Sequence, residues 1–299
     1  MQKNHQKRRE HSTLFTVTEK AELLPFLLEN MKQNSRNSVK SMLTRGQVEV
    51  DGQPVTKHNH PLSIGQKVEI QKNKAAKSES MLTGLTIIYE DESIIVIDKE
   101  EGLLSMAAKD KNEKTAFSEV SYYVKKQNPR QRVFIVHRLD RDTSGVLLFA
   151  KSEEVKMTLQ TNWDEMAKER VYTALVEGNV KKEQGTIKSW LKETRTYKVY
   201  SNPTDNGGQL AITHYKKIKS NRQYSLLEVR LDTGRKNQIR VHMEELGYPV
   251  VGDKKYGSTV NPLKRLGLHA TSLTVVHPVT KKVMKFETDL PTSFLRKVQ

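Results

Sequence analysis

A run of polar residues between two apolar segments constrains the fold of this chain more than any other feature. The segment HRLDRDTSG occupies residues 137–145, after the apolar run 133–136 and before the apolar run 145–150. Apolar runs this short are typical of strands inside a sheet. Charged side chains beside two core strands risk partial burial, which disfavours their charged forms unless they pair or serve a function. The sequence therefore predicts either a self-paired ion loop or a functional site here.

The charge balance indicates which partner such a site would serve. The 299 residues include 51 Lys and Arg against 35 Asp and Glu, a formal net charge of +16. This excess favours a polyanionic partner, most often nucleic acid, over a merely basic surface. The absence of cysteine excludes disulfides, thiolate zinc sites and a cysteine nucleophile. Since no apolar run approaches the roughly 20 residues of a membrane span, and the basic N-terminus lacks the apolar part of a secretory signal, we expect a cytoplasmic protein.

Changes in composition divide the chain into four segments. Residues 1–12 are predicted to form a basic flexible arm, and residues 13–72 a small module of two helices and short strands. Residues 73–84 lose the apolar pattern and are expected to be a linker. In residues 85–299 strands dominate, pair mostly in hairpins and have helices irregularly between them. This order predicts an α+β fold with a mixed, largely antiparallel sheet instead of repeating βαβ units.

Hydrophobic spacing predicts individual elements within these segments. Apolar residues at helical spacing indicate helices at 21–30, after 35–38, at 117–125, at 152–167 and at 236–246. Alternating apolar residues indicate an antiparallel pair, 209–214 with 224–231, and a hairpin of 273–276 with 283–286. A strand is also predicted at 170–176.

The small module carries a basic helix followed by a short strand and a tight turn. Arg36, Lys40 and Arg45 lie on or beside the helix, and the run GQVEVDG follows at 46–52. This combination resembles the S4-type RNA-binding module, a small α/β domain. The resemblance implies that these three residues contact RNA phosphates, which gives salt-dependent affinity with little base selectivity. The alternative is a small capping domain with a solvated charged helix.

The large segment resembles the RluA/RluD-type RNA pseudouridine synthases through several motifs in order. These motifs lie at 89–99, 137–145, 170–178, 233–242 and 252–257. With the S4-like module, the resemblance covers nearly the whole chain. It implies the pseudouridine synthase fold, with a mixed, largely antiparallel sheet, preceded by the S4-like domain. It also implies that the protein isomerises specific uridines in RNA to pseudouridine.

The resemblance further implies roles for individual residues. Asp140 of the HRLD sequence corresponds to the catalytic aspartate, and Arg240 to the arginine that pairs with it. Tyr172 corresponds to a platform beneath the flipped uracil, with a hydroxyl that can carry a proton. RNA contacts are implied for Arg138, Arg141, Thr143 and Arg235.

The reaction itself indicates what such residues must do. Forming pseudouridine breaks a C–N glycosidic bond and makes a C–C bond to the same sugar, so a carboxylate can attack C1′ or remove a proton from C2′. Asp140 must be ionised among a base and apolar walls, which disfavour its charge, and Arg240 can oppose this effect. The target base must leave its stack, at about a few kcal/mol. Because an isomerisation needs no redox step or group donor, we expect no cofactor and no metal.

Two positions depart from the family pattern, and some single residues have simpler interpretations. Glu100 stands where the family usually has proline, and Asn237 where it usually has histidine. Taken alone, Arg240 could be the i,i+4 surface partner of Glu244, and Tyr172 a core aromatic. His137 is expected to be structural.

Two alternative functions compete with the synthase. One is a non-catalytic RNA-binding or ribosome-assembly factor that retained the fold. The other is a nucleoside hydrolase, which lacks an evident second acid. We expect a monomer that acts on RNA, with ribosomal RNA favoured over tRNA.

Overall fold

The chain folds into two compact units, Met1–Leu82 and Thr83–Gln299. This computed structural model describes residues 12–32, 34, 36–44, 47–71, 82–107 and 113–299. Almost all of the predicted arm at 1–12 and most of the predicted linker at 73–84 lie outside these residues, as does Arg45. The domain boundaries expected from composition stay predictions.

The first unit packs two helices against small antiparallel sheets. Its described elements are β1 (Ser12–Thr16), β2 (Ala21–Glu22), α1 (Leu23–Asn30), α2 (Arg36–Thr44), β3 (Val48–Val50), β4 (Gln53–Pro54), β5 (Pro61–Leu62) and β6 (Lys67–Gln71). One sheet has the order β1-β6-β3-β4, and β2 pairs with β5. Leu23 and Leu27 of α1 meet Val39 and Leu43 of α2 in the core, because residues four apart share one helix face.

The second unit alternates strands with short helices. Its described elements are β7 (Leu85–Glu90), β8 (Ile94–Lys99), α3 (Ala116–Gln127), β9 (Phe134–Ile135), β10 (Ser144–Ala150), α4 (Glu153–Thr161), α5 (Trp163–Met166), β11 (Ala167–Glu177), β12 (Gln184–Glu193), β13 (Val199–Asn202), β14 (Gln209–Ser220), β15 (Tyr224–Leu231), α6 (Gln238–Glu245), a 3₁₀ turn (Lys254–Tyr256), β16 (Leu268–Val276), β17 (Val283–Glu287) and α7 (Thr292–Arg296).

One mixed sheet forms the centre of this unit. Among the described residues it has the order β13-β12-β14-β15-β11-β16-β10-β8-β7, with β9 beside β10 and β17 beside β16. The described strand pairs are antiparallel, except that β10 runs parallel to β16 through Ser144 opposite His269 and Gly145 opposite Ala270. The predicted α+β class with a mixed, largely antiparallel sheet is confirmed.

Strand β10 lies in the interior of the sheet. All seven of its residues are buried. Val146 and Leu148 pack in one apolar cluster with Val155 and Leu159 of α4. A strand covered on both faces needs apolar residues at successive positions instead of alternating ones. This is why the run at 145–150 is continuously apolar.

Several element boundaries differ from the sequence predictions. The helix predicted at 152–167 is present but interrupted at Asn162, where α4 ends and the short α5 follows, and β11 begins at Ala167, which pairs with Val275. The helix predicted at 236–246 begins at Gln238, since Asn237 has a left-handed φ of 55°. Strands β12 and β13 were not predicted; β12 pairs with β14 and is largely exposed, so it lacks a strong apolar alternation.

The predicted strand pairs of the second unit are present in the structure. The segment predicted at 209–214 belongs to β14, which pairs antiparallel with β15. The predicted hairpin corresponds to β16 and β17. Across the residues that the structure describes, no helix is long and apolar enough to cross a membrane.

Candidate active site

The loop at 137–143 leads directly into the only place where two described strands of the large sheet run parallel. Ser144 and Gly145 begin β10 opposite His269 and Ala270 of β16. Gly145 has a φ of 112°, and a Cβ on it would collide with the backbone of Ala270. Only glycine accepts both this conformation and this close approach. The glycine of the HRLDRDTSG motif therefore fixes how the loop enters the sheet.

Hydrogen bonds hold the backbone on both sides of Asp140. The Ser105 hydroxyl donates to the carbonyl of Leu139 at 2.7 Å and accepts the N–H of Leu139 at 3.0 Å. On the other side, Lys99 Nζ donates to the carbonyl of Arg141 at 2.9 Å. Both holding side chains come from the segment around the end of β8.

Lys99 is a fully buried lysine, and no carboxylate of the described residues is in hydrogen-bond contact with it. Besides the carbonyl of Arg141, it donates to those of Glu100 and Leu103 at 2.9 and 2.7 Å. Burial lowers its pKa to about 8, and the nearby charge of Asp142 opposes this shift. Glu100, where the family usually has proline, thus contributes a backbone carbonyl that proline also has, while its own side chain is exposed.

The Asp140 carboxylate forms an ion pair with Arg240 from helix α6. Arg240 Nη1 lies 3.0 Å from Asp140 Oδ2. Its Nε and Nη2 bind the two oxygens of Asp253 at 2.6 and 2.9 Å, and the Asp253 side chain is only 1% exposed. Burial disfavours the guanidinium charge, but Asp253 and Asp140 outweigh this effect and raise the pKa of Arg240. Arg240 is therefore a permanently charged group fixed by one carboxylate and directed at the other.

Asn237 links this arginine to a buried tyrosine. Its Oδ1 accepts a hydrogen bond from Arg240 Nη1 at 3.1 Å, and its Nδ2 donates to the Tyr256 hydroxyl at 2.9 Å. That hydroxyl also accepts the N–H of Val199 at 3.1 Å. The Arg240 guanidinium lies 4.9 Å from the centre of the Tyr256 ring. Asn237, the second departure from the family pattern, therefore supports the position of Arg240.

Tyr172 stands on β11, the strand next to β16, and borders the same cavity as Asp140. Burial raises the pKa of Tyr172 to about 12; the charge of Arg170 opposes this shift and that of Asp140 adds to it. The hydroxyl is therefore protonated at neutral pH, so it can donate a hydrogen bond or a proton to a group in the cavity.

A cavity of about 940 Å³ brings these groups together. Its lining includes all large-domain site residues predicted from the sequence, namely Arg138, Asp140, Arg141, Thr143, Tyr172, Arg235 and Arg240. Leu104, Met106 and Trp163 add apolar walls. Within the described ranges, no group of three or more His, Asp or Glu side chains could hold a metal ion.

The predicted RNA-contacting residues differ in how accessible they are. Arg138 and Arg235 are exposed at the cavity. Arg141 is exposed and pairs with Glu113 at 2.9 Å. Thr143 is only 2% exposed, and its N–H donates to the carbonyl of Asp140 at 3.2 Å. RNA contact by these four residues stays a prediction.

In the first unit, Arg36 begins α2 and is exposed, and Lys40 follows one turn later, half-buried. Arg45 lies outside the described residues. RNA contact by this helix also stays a prediction.

Two simpler interpretations of single residues can be compared with the structure. His137 is structural, as expected: its Nε2 accepts the N–H of Leu148 at 3.1 Å and its ring stacks on Trp163. Burial lowers the pKa of His137 to about 3, so the ring is neutral. Arg240 is not the surface partner of Glu244, because Glu244 pairs with Lys198 at 3.5 Å.

Sequence reasoning missed three residues that shape the site. Asp253 and Tyr256 lie in the motif at 252–257, whose sequence predicts no role for either side chain. Ser105 belongs to no motif. Asp253 lies thirteen positions after Arg240, a spacing that does not indicate an ion pair. The two side chains meet only because the chain turns back after α6.

Comparison with known proteins identifies the family. The model for the RNA pseudouridylate synthase family matches residues 93–245. An uncharacterized RNA pseudouridine synthase of Bacillus subtilis, YhcT, is 31% identical over 96% of each chain. The ribosomal large subunit pseudouridine synthase D of Pseudomonas aeruginosa is 33% identical, over 88% of this chain and 86% of its own. The structure of human RNA pseudouridylate synthase domain containing 4 has the same fold, with a TM-score of 0.60 and 21% identity, covering 75% of this chain and 94% of the human chain.

These matches define the class of protein, an enzyme that isomerises uridine in RNA. The chain belongs to the RNA pseudouridylate synthase family. It is an isomerase that converts uridine in RNA to pseudouridine.

Proposed function

We propose that Asp140 is the catalytic carboxylate of this enzyme and that its substrate is ribosomal RNA. The observation that carries the first part is the 3.0 Å contact between Asp140 Oδ2 and Arg240 Nη1 at the cavity wall. With one oxygen held by a fixed guanidinium, the other is available to the substrate. The Asp140 side chain is 33% exposed, so an entering nucleotide can reach it.

The reacting uridine leaves its stack and enters the cavity with its base against Tyr172. Asp140 then either attacks C1′ or takes a proton from C2′; in both routes the glycosidic bond breaks and the uracil is free to turn. Arg240 contacts the carboxylate and fixes its direction. The protonated Tyr172 hydroxyl supplies a hydrogen bond or a proton to the detached base. C5 then bonds to C1′ as Asp140 leaves C1′ in the first route or returns its proton to C2′ in the second. The C5 hydrogen leaves as a proton, and N1 gains one.

The ribosomal substrate is supported by likeness and charge. The Pseudomonas relative is named for the large ribosomal subunit, and it aligns over 88% of this chain. The net charge of +16 suits a densely anionic partner. The basic helix α2 of the first unit would add phosphate contacts of the S4 type. A tRNA substrate is the alternative, and a non-catalytic assembly role is a more distant one.

Asp140→Asn tests the catalytic part, because it keeps the shape of the side chain and removes its charge. Tritium release from RNA labelled at C5 of uridine measures turnover directly. We expect a loss of more than about a hundredfold, with RNA affinity largely retained. The matched control is Asp142→Asn, an exposed carboxylate two residues away in the same loop, which should stay within about threefold of wild type. Turnover within about tenfold of wild type in Asp140→Asn would remove Asp140 from the mechanism.

A second experiment tests the substrate. Pseudouridine positions are mapped in ribosomal RNA and tRNA from cells with and without the gene, and then from cells that carry the Asp140→Asn variant. The proposal expects at least one position of ribosomal RNA to be lost in both mutants. Loss confined to tRNA would instead support the alternative substrate.

A further inference from the structure

Ser105 lies on the cavity wall and forms hydrogen bonds with the backbone of Leu139, the residue just before the proposed catalytic aspartate. Ser105 is 3% exposed, and its hydroxyl both donates to the carbonyl and accepts the N–H of Leu139, at 2.7 and 3.0 Å. Leu139 is itself buried. Because buried backbone groups need partners, a single side chain here satisfies both polar groups of the residue next to Asp140.

Ser105 is itself held firmly by the start of helix α3. The N–H groups of Ala116 and Phe117 donate to the carbonyls of Leu104 and Ser105, at 2.7 and 3.1 Å. The helix begins with a capping box formed by Thr115 and Ser118, which fixes this first turn. Ser105 thus connects the capped start of α3 to the backbone of the loop that carries Asp140.

The position of the Asp140 carboxylate depends on both ends of its side chain. Arg240, fixed by Asp253, sets where the oxygens lie. The backbone of Leu139 sets where the side chain starts. Arg240 contacts a single oxygen of Asp140, so this one contact leaves the carboxylate free to pivot unless the backbone is fixed as well. A catalytic group displaced by about 1 Å can lose about a hundredfold in rate.

We infer that Ser105 is a positioning residue for catalysis, which acts by fixing the backbone that carries Asp140. The inference rests on the proposed role of Asp140. It assigns to Ser105 no contact with the reacting atoms. Loss of its hydroxyl should therefore lower the rate of the chemical step while leaving RNA binding nearly unchanged.

The test compares Ser105→Ala with a matched serine elsewhere in the same unit. Ser225 is fully buried, donates to the carbonyl of Gly178 at 2.8 Å and accepts the N–H of Val180 at 2.9 Å. It makes the same kind of bridge but does not line the described cavity. Ser225→Ala therefore removes equivalent hydrogen bonds without touching the Asp140 loop.

For each full-length variant, kcat and KM are measured by tritium release over a range of RNA concentrations up to saturation, together with the thermal midpoint of unfolding. We expect Ser105→Ala to lose about tenfold or more in kcat with KM within about threefold. Ser225→Ala should lower the unfolding midpoint while its kcat stays within about threefold of wild type. Ser105→Thr keeps the hydroxyl and should recover most of the rate.

Three results would overturn the inference. These are a kcat of Ser105→Ala near wild type, an equal loss of kcat in Ser225→Ala, and a loss that appears only in KM. If Ser105→Ala does not fold, Ser105→Cys replaces it, because a thiol keeps the volume and weakens both hydrogen bonds; wild-type kcat in that variant overturns the inference equally. Asp140→Asn is assayed in parallel: if it stays active, the catalytic role of Asp140 fails, whereas an inactive Asp140→Asn beside a fully active Ser105→Ala removes only the role of Ser105.

Discussion

At the scale of single residues, the site depends on how one arginine is shared between two carboxylates. Arg240 uses two of its nitrogens on the buried Asp253 and a third on Asp140. The planar guanidinium allows this because its N–H groups point in fixed, separate directions. The two contacts with Asp253 fix Arg240, so that its third nitrogen is directed at Asp140.

Arg240→Lys tests the need for this geometry. A lysine ammonium keeps the charge but cannot bind Asp253 through two nitrogens and reach Asp140 as well. We expect kcat to fall by about tenfold or more, since positioned electrostatic groups contribute at least this much. The control is Glu244→Ala on the same helix, which removes only the contact with Lys198. Wild-type kcat in Arg240→Lys would show that charge alone suffices, and an equal loss in Glu244→Ala would show a general effect on α6.

At the scale of elements, the parallel contact between β10 and β16 determines where the loop that carries Asp140 enters the large sheet. Every other described neighbour in the large sheet is antiparallel. Ser144 also ties this junction together, because its hydroxyl lies 2.7 Å from His269 Nδ1 and accepts a hydrogen bond from Arg265 at 2.6 Å. The loop before β10 is thus anchored to β16 by backbone pairing and by buried side chains.

Gly145→Ala should disrupt this junction. The added Cβ would meet the backbone of Ala270, so the strands must separate, in addition to the strain of a left-handed residue. Gly207→Ala is the control, because Gly207 also has a positive φ of 73° but has open space around it. We expect the free energy of unfolding to fall by about 1–3 kcal/mol more in Gly145→Ala than in Gly207→Ala, which is the usual range for overpacking. Urea unfolding curves provide the measurement. Equal losses of stability in the two variants would mean that β16 shifts to accommodate the added Cβ at no measurable cost.

At the scale of the whole molecule, the proposed active site lies in the larger of the two units. The described site residues from Lys99 to Asp253 belong to the unit Thr83–Gln299. The first unit has its own apolar core and carries the basic helix α2. This division allows an experiment to test whether the small unit binds RNA.

Deleting residues 1–72 should weaken RNA binding and reduce its salt dependence while the large unit still folds. Each lost phosphate contact should reduce the slope of log affinity against log salt by about 0.7 to 0.9. The rate should recover in part at saturating RNA, because the catalytic groups remain. Titrations at several salt concentrations measure the slope, and circular dichroism checks the fold. An unchanged slope would mean that the first unit does not bind RNA, and an unfolded remainder would mean that it is structural.

Much of this architecture could be predicted from local patterns. A continuous apolar run predicts the buried strand β10. Apolar spacing likewise predicts the hairpin of β16 and β17 and the pair of β14 and β15. Three of the residues that line the cavity, Asp140, Tyr172 and Arg240, were also predicted, since they lie in motifs whose order along the chain is distinctive. A strand or a motif is a local property, so sequence alone determined these features, together with the basic charge that suits an RNA partner.

Only the tertiary structure determined what holds the site together. Asp253, Tyr256 and Ser105 act through contacts between segments distant in sequence, and no spacing rule reveals such contacts. The same reason explains the boundaries that were misjudged. Strand β11 begins at Ala167, before the predicted residue 170, because Ala167 pairs with Val275. Strand β12 is largely polar and exposed, and it forms because its backbone pairs with β14. Hydrogen bonds to a distant partner outweigh weak local preferences, and those partners become known only once the chain is folded.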